Sequence, residues 1–219
     1  MITLLVMTDG RRECIEATRD SWAMLDGPIS RRVIHDDSGD EGYRAWLRRE
    51  FPGWAIIGEG PRLGFGGAMI RARLWLLSNV GSPFVWWQED DFRLTRRIDL
   101  TAMVEVLNRT PNLAQLALRR QPWNDEERAA GGIVEAHPDD FLEVGLDGRK
   151  WLRHRRFFTT NPSLIPWPVI NRPWPSGPLS EGMFGLSLFD DGYWCGYWGS
   201  RASGEWCRHV GTERAGTGY

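Results

Sequence analysis

Three short apolar runs in the first half of the chain each end in acid. Ile2–Met7 meets Thr8-Asp9-Gly10, Arg31-Arg32-Val33-Ile34-His35 meets Asp36-Asp37-Ser38-Gly39-Asp40, and Pro83–Gln88 meets Glu89-Asp90-Asp91. The stretches between them have helical period. Cys14, Ile15, Thr18, Trp22 and Leu25 share one face, and Tyr43, Trp46 and Leu47 share another within residues 42–51. Trp54–Ile57 reads as a further strand, and the Gly-rich segment 58–67 runs into a helix over 68–79. Alternating strands and helices predict a parallel α/β sheet flanked by helices. Ligands of such sheets bind beyond the carboxyl ends of the strands, which is where the acidic clusters fall.

The second half is less regular. Residues 100–108 read as a helix, 113–118 as a strand, 157–160 as a strand, 180–189 as a capped helix and 193–198 as an aromatic strand. Residues 120–155 show no clear period, 162–178 are crowded with Pro and Trp, and 208–219 form a polar, Gly-rich tail. There is no repeat and no linker of disordered composition. One domain over 1–219 is expected, divided near residue 92 into a regular half and a loop-rich half.

Composition narrows the partners. With 42% hydrophobic and 26% charged residues the chain is ordinary globular material. A net charge of −2 excludes a generally basic nucleic-acid coat, although Arg119-Arg120 and the cluster from Arg153 to Arg156 leave room for a local patch. The N-terminus has no basic region before its apolar run and reaches Asp9 early, and no apolar run approaches the ~18 residues of a membrane span. A soluble, cytoplasmic protein is expected. Cys14, Cys195 and Cys207 are an odd set without zinc-type spacing, which favours reduced thiols over a Cys195–Cys207 disulfide. Lys150 is the one lysine among 27 basic residues, and there are 13 tryptophans.

Glu89-Asp90-Asp91 carries the sharpest chemical signal. It follows Phe84-Val85-Trp86-Trp87, which reads as buried. Three consecutive carboxylates repel unless a cation or hydrogen-bond donors compensate. Hard divalent cations take such oxygens together with an anionic substrate. The plain alternative is a solvated strand-to-loop turn.

The order of these parts resembles the GT-A glycosyltransferases, nucleotide-sugar-dependent enzymes with a Rossmann-like sheet and an acidic D-x-D or E-D-D motif at a strand end. The resemblance spans Met1 to about Arg214, with 120–155 unmatched. It implies that Asp91 binds Mn²⁺ or Mg²⁺ directly, with Glu89 and Asp90 nearer the ribose or sugar. It places Thr8, Asp9 and Arg11 in the nucleotide pocket, with Asp36 or Asp37 on the base or ribose. Arg62-Leu63-Gly64-Phe65-Gly66-Gly67 is similar to the family's Gly-containing loop; Gly64 and Gly66 would let the backbone approach the nucleotide, at a helix N-terminus that favours phosphate. Cys207–Arg214 resembles the family's late H-h-G-x-x-R segment, which makes His209 a second metal ligand and Arg214 a diphosphate partner.

Ser180-Glu181-Gly182 resembles the segment carrying the catalytic base of inverting members, and Thr159–Leu164 a recurring segment before it. Two readings of Glu181 stay open: base, or stabiliser of its own helix N-terminus. The implied donor is a UDP- or GDP-sugar. The acceptor is open between a glycan, a lipid, a protein hydroxyl and a modified DNA base. Trp123, Trp167, Trp174, Trp194 and Trp198 could form an acceptor platform or simply pack. The small size and the Leu116–Trp123 stretch are similar to compact bacteriophage members, which would place the protein in a host cytoplasm. Two alternatives remain. A nucleotidyltransferase is disfavoured by an N-terminus without Lys; a non-catalytic carbohydrate or nucleic-acid module is disfavoured by the intact acidic triplet.

Overall fold

The computed structural model describes residues 1–211. β1 (Ile2–Thr8) is buried along its whole length. α1 (Arg12–Thr18) continues as a 3-10 turn to Met24, and β2 (Leu25–Asp26) is a short bridge. β3 (Ile29–Asp36) leads to α2 (Glu41–Glu50), which starts where the Asp40 carboxylate accepts the N–H groups of Gly42 and Tyr43. β4 (Ala55–Ile57), α3 (Gly64–Asn79) and β5 (Phe84–Glu89) complete the regular half. α3 begins four residues before the expected Ala68, so the glycines form its first turn rather than a loop.

The chain continues through β6 (Phe92–Leu94), β7 (Ile98–Asp99), α4 (Leu100–Arg109, capped by Asp99) and β8 (Leu113–Ala117). The segment without sequence period holds α5 (Asp125–Ala130), α6 (Ile133–Ala136), β9 (Leu142–Leu146) and β10 (Arg149–His154). β11 (Ser163–Pro166), α7 (Trp167–Ile170), α8 (Ser180–Asp190), β12 (Trp194–Trp198) and β13 (Cys207–His209) follow.

One nine-stranded sheet runs through both halves in the order β4-β3-β1-β5-β11-β8-β12-β10-β9. β4, β3, β1 and β5 are parallel, as expected. Beyond β5 the expectation of a mostly parallel sheet is corrected to a mixed one. β11 runs antiparallel to both β5 and β8, β12 is parallel to β8, and β10 is antiparallel to both β12 and β9. The β9–β10 hairpin follows from its turn, since Asp147 (φ 49°) and Gly148 (φ 79°) both hold positive φ. The expected strand over 157–160 is absent. That segment is irregular, and pairing with β5 begins three residues later, at Ser163.

Strand alternation separates two cores. Ile2, Leu4 and Val6 face Ile15, Trp22, Trp46, Leu47 and the inner side of α4, whereas Leu5 and Met7 face α3 and α8. All three cysteines are buried free thiols, so Cys195 and Cys207 are not bridged. No helix among the described residues is long and apolar enough to cross a membrane.

The topology fixes where a ligand can sit. From β1 the chain steps outward to β3 and β4, then returns to the other side of β1 as β5. The strand order therefore reverses between β1 and β5, and the crevice beyond their carboxyl ends is the binding place of an open α/β sheet. Met7 and Glu89 are in register at that point. The pairing with β1 extends past the ends of β5 and β3, for Asp90 N–H donates to the Met7 carbonyl (2.9 Å) and Asp37 N–H to the Thr8 carbonyl (2.8 Å).

Candidate active site at the β1–β5 edge

Arg11 is the hub of the acidic edge. Its guanidinium reaches Asp9 Oδ1 (2.7 Å), Asp90 Oδ1 (2.8 Å) and Asp91 Oδ2 (2.8 Å), and the side chains of Asp90 and Asp91 have no exposed surface. Burial opposes a charge on Arg11, but the fields of Asp90 and Asp91 outweigh it and raise its pKa. The two adjacent carboxylates split. Burial, reinforced by Asp91, pushes Asp90 up to about 7 against the pull of Arg11 and Thr8. Burial would also raise Asp91, but the hydrogen bond and charge of His209, with Arg11, hold it down at about 2. Asp91 is thus the ionised member. Asp90 is tied inward, accepting from Thr8 Oγ1 (2.6 Å) while Thr18 Oγ1 donates to its carbonyl (2.6 Å). Thr8 also meets the Tyr43 hydroxyl (2.7 Å) and is itself buried.

The tail expected over 208–219 begins, in its described part, within β13 (Cys207–His209), which pairs with β6 and sets His209 opposite Phe92, the residue after Asp91. Val210 N–H donates to the Asp91 carbonyl (2.7 Å), and His209 Nε2 stands 3.2 Å from Asp91 Oδ2. Gln121 clamps the His209 backbone, donating to its carbonyl and accepting its N–H, both at 2.9 Å. Phe92 and Trp123 pack on the imidazole at 4.7 and 4.8 Å between centroids. Arg214 lies outside the described residues.

The donor set fits a hard divalent cation. Two cis ligands about 2.1 Å from an octahedral ion stand about 3.0 Å apart, close to the Asp91–His209 separation of 3.2 Å. One carboxylate and one imidazole suit Mn²⁺ or Mg²⁺. Among the described residues no cluster of three or more His, Cys, Asp or Glu forms a complete cage, so phosphate oxygens and water would supply the remaining positions. Arg11 Nη1 shares the same Asp91 oxygen. Gly211 closes over this point, where a Cβ would fall 2.5 Å from Asp91 Oδ2 and 2.6 Å from Arg11 Nη1.

The second acidic cluster turns inward. Asp36 has no exposed surface; it accepts the Ser38 N–H (2.8 Å) and pairs with buried Arg44 (Oδ2–Nε 3.1 Å), which leaves no face for direct contact with a nucleobase in this conformation. The Asp37 carboxylate accepts the Leu63 N–H (3.0 Å), and burial raises its pKa against donors from Leu63 and Gly64. A carboxylate of the chain itself therefore occupies the N-terminus of α3, where a phosphate was expected. Gly64 opens α3 at φ +70°. Gly66 allows close packing on the neighbouring helix, since a Cβ there would meet Ser180 Oγ at 3.3 Å. Asp9 carries a second guanidinium, from Arg62 (3.0 Å).

Glu181 lies in the first turn of α8, but that helix has no side-chain cap and Glu181 does not bond back to it. Its Oε1 accepts the backbone N–H of Thr160 (2.6 Å) and faces Thr160 Oγ1 (3.0 Å). The same hydroxyl is 2.7 Å from Glu89 Oε1 at the end of β5. Burial raises the pKa of Glu181, and the Thr160 bonds offset part of that rise. Thr160 thus brings together two carboxylates from distant parts of the sequence.

The tryptophans divide. Trp123 is 42% exposed beside His209, with Arg120 over its ring, and Trp174 stacks on Phe184 of α8 at 4.6 Å. Trp194 lies between Arg153 and Arg155, Trp167 packs on the core, and Trp198 is buried in β12. The five do not form one platform. Sequence reasoning missed Gln121, Tyr43 and the role of Thr160. No local pattern marks Gln121, Tyr43 was legible only as part of a helix face, and Thr160 only as part of the segment before α8.

The sequence matches no family model and no curated protein. Its fold is similar to that of solved structures. One is the mannosyltransferase PcManGT from Pyrobaculum calidifontis in complex with GDP-Man and Mn²⁺, with a TM-score of 0.63 and 16% identity over 95% of this chain and 56% of that one. Another is S. aureus TarS 1-349 in complex with UDP-GlcNAc, with a TM-score of 0.64 and 14% identity over 99% of this chain and 59% of that one. The chain spans less than two thirds of these proteins. At such identity the likeness is one of fold, a large mixed sheet flanked by helices in the manner of Rossmann-like glycosyltransferases.

Proposed function

We propose that this chain is a GT-A-type glycosyltransferase that moves a sugar from a nucleoside diphosphate-sugar to an acceptor hydroxyl with inversion. One observation carries the reading. The β1–β5 edge holds Asp91 beside His209, and Glu89 of the same edge is joined through Thr160 to a half-buried carboxylate, Glu181, on α8. Fold neighbours holding GDP-Man with Mn²⁺, and UDP-GlcNAc, support the class of donor.

Asp91 and His209 would hold Mn²⁺ or Mg²⁺, which when bound supplies Lewis-acid stabilisation of the charge that grows on the departing diphosphate. Arg11 and Arg62, gathered by Asp9, present planar guanidinium donors to the phosphates. Asp37, Gly64 and Gly66 shape the nucleotide side of the edge, while Thr8, Asp36 and Asp90 hold that wall from behind. Glu89 faces the sugar. Glu181 takes the acceptor proton as the acceptor oxygen bonds to the anomeric carbon; the bond to the diphosphate breaks with its electron pair on the leaving oxygen. Trp123 and Trp174 flank the acceptor side. The proposed acceptor is a hydroxyl of a glycan, lipid, protein or modified DNA base, and a cytoplasmic site of reaction is part of the same proposal.

A thermal-shift screen with UDP, GDP and their sugars, with and without Mn²⁺, tests the reading. A nucleotide response that depends on metal supports it. A response only to a nucleoside triphosphate with a sugar phosphate would favour nucleotidyl transfer, and no nucleotide response would favour a binding module.

A further inference from the structure

Thr160 makes three contacts that it cannot satisfy at once when Glu89 and Glu181 are both ionised. Its N–H donates to Glu181 Oε1 (2.6 Å), while its hydroxyl stands 2.7 Å from Glu89 Oε1 and 3.0 Å from Glu181 Oε1. A hydroxyl carries one proton, so at any instant it donates to one of the two carboxylates. Glu89 ends β5 on the proposed donor side; Glu181 opens α8 on the proposed acceptor side.

The segment holding Thr160 is fixed without strand pairing. Asn161 N–H donates to Thr159 Oγ1 (3.2 Å), and Leu118 N–H donates to the Pro162 carbonyl (2.8 Å). The Gln115 amide, oriented to suit its neighbours, donates to the Thr159 carbonyl (2.9 Å) and accepts the Thr159 N–H (3.0 Å). Gln115 is fully buried on β8, so Thr160 is anchored to the sheet itself. The backbone groups of Thr159 and the N–H of Thr160 are thus spent on side chains that fix the hydroxyl rather than on strand pairing.

We propose that Thr160 is the positioning residue of Glu181, and that its single hydroxyl proton couples the donor side of the site to the base. The proposal rests on the reading of Glu181 as base. The backbone N–H of Thr160 fixes Glu181 Oε1 permanently. The hydroxyl adds a second bond when a sugar hydroxyl donates to Glu89 in its place. Donor occupancy thereby favours the ionised form of Glu181, and proton removal follows donor binding.

The test compares Thr160→Val and Thr160→Ser with the unaltered chain, using hydrolysis or transfer of the donor found in the screen. Thr160→Val keeps shape and the backbone N–H but removes the hydroxyl. Its kcat should fall roughly tenfold to a hundredfold, the effect of one lost bond to a charged group, with donor KM changed by less than about threefold. Without that donor Glu181 becomes harder to ionise, so the acidic limb of the kcat profile should move to higher pH. Thr160→Ser should recover most of the turnover and return the limb. The proposal is overturned if Thr160→Val leaves kcat and the limb unmoved. It is equally overturned if Thr160→Ser falls as far as Thr160→Val at an unchanged melting temperature, because the loss then belongs to packing. If the unaltered chain consumes no nucleotide-sugar, the catalytic reading fails separately. The positioning claim is then read from the carboxyl ¹³C titration of Glu181, assigned with Glu181→Gln. A higher midpoint in Thr160→Val supports it, and an equal midpoint overturns it.

Discussion

Replacing Arg44 by methionine removes the cation that holds the end of β3. Arg44 is 1% exposed and Asp36 has no exposed side-chain surface. Their closest atoms, Nε and Oδ2, stand 3.1 Å apart without a well-aligned hydrogen bond. At that distance an effective dielectric constant of about 20 gives an attraction of about 5 kcal/mol. Two features soften the loss. Asp36 keeps the Ser38 N–H, and the Gly58 carbonyl, which accepts from Arg44 Nη2, also accepts from Arg71. Removing one partner of a buried pair costs about 3–5 kcal/mol, and the lower end applies here. For a chain of this size that lowers the melting temperature by roughly 6–12 °C. Urea unfolding followed by tryptophan fluorescence measures it. Asp36→Asn in the Arg44→Met background removes the stranded charge and should recover about 1 kcal/mol or more. A loss below about 1 kcal/mol, or a double variant no better than Arg44→Met, would refute the view that Asp36 and Arg44 act as a buried pair.

Other expectations follow from the same geometry. Gly211→Ala places a Cβ against Asp91 and Arg11, so it should reduce metal-dependent donor turnover at least about tenfold while the melting temperature moves little. Burial holds His154 at about 3 and His35 at about 4, both below their unfolded value of 6.5, so the folded chain excludes protons that the unfolded chain binds. Stability is therefore full above about pH 6.5 and falls as pH drops toward 4. His154 sits among Phe141, Phe157 and Tyr197, so His154→Phe should flatten that acid limb in urea titrations; an unchanged slope would count against it. All three thiols are buried, and burial raises each pKa, so a thiol reagent should label them only on unfolding. Rapid labelling of the folded chain would contradict the structure.

The regular half was legible because its signals are local. Short apolar runs mark β1, β3 and β5, period-3.6 stretches mark their helices, and the acidic residues at the ends of β1 and β5 mark the edge proposed to bind the donor. In the second half α4, β8, α8 and β12 were legible in the same way, whereas residues 120–162 were opaque for physical reasons. The Asp147-Gly148 turn was a readable hairpin signal, but β9 and β10 flank it without clean alternation. Residues 157–160 read as a strand, yet the backbone partners of Thr159 and Thr160 are the Gln115 side chain and a carboxylate from α8, which no local window contains. His209 was legible as a candidate ligand in sequence, whereas its pairing with β6 and the Gln121 clamp are long-range facts. Asp36 and Asp37 look alike in the sequence. Only the fold shows that one pairs with Arg44 and the other caps α3.

The central claim is a metal-dependent sugar transfer at the β1–β5 edge. Its most direct test is to incubate the chain and a panel of UDP- and GDP-sugars with Mn²⁺ and identify products by mass spectrometry. The account predicts that at least one donor releases its nucleoside diphosphate, and that EDTA, Asp91→Ala or His209→Ala abolishes this release in folded protein. Consumption of no donor by the folded chain with Mn²⁺ or Mg²⁺, or consumption unchanged by Asp91→Ala, would contradict it.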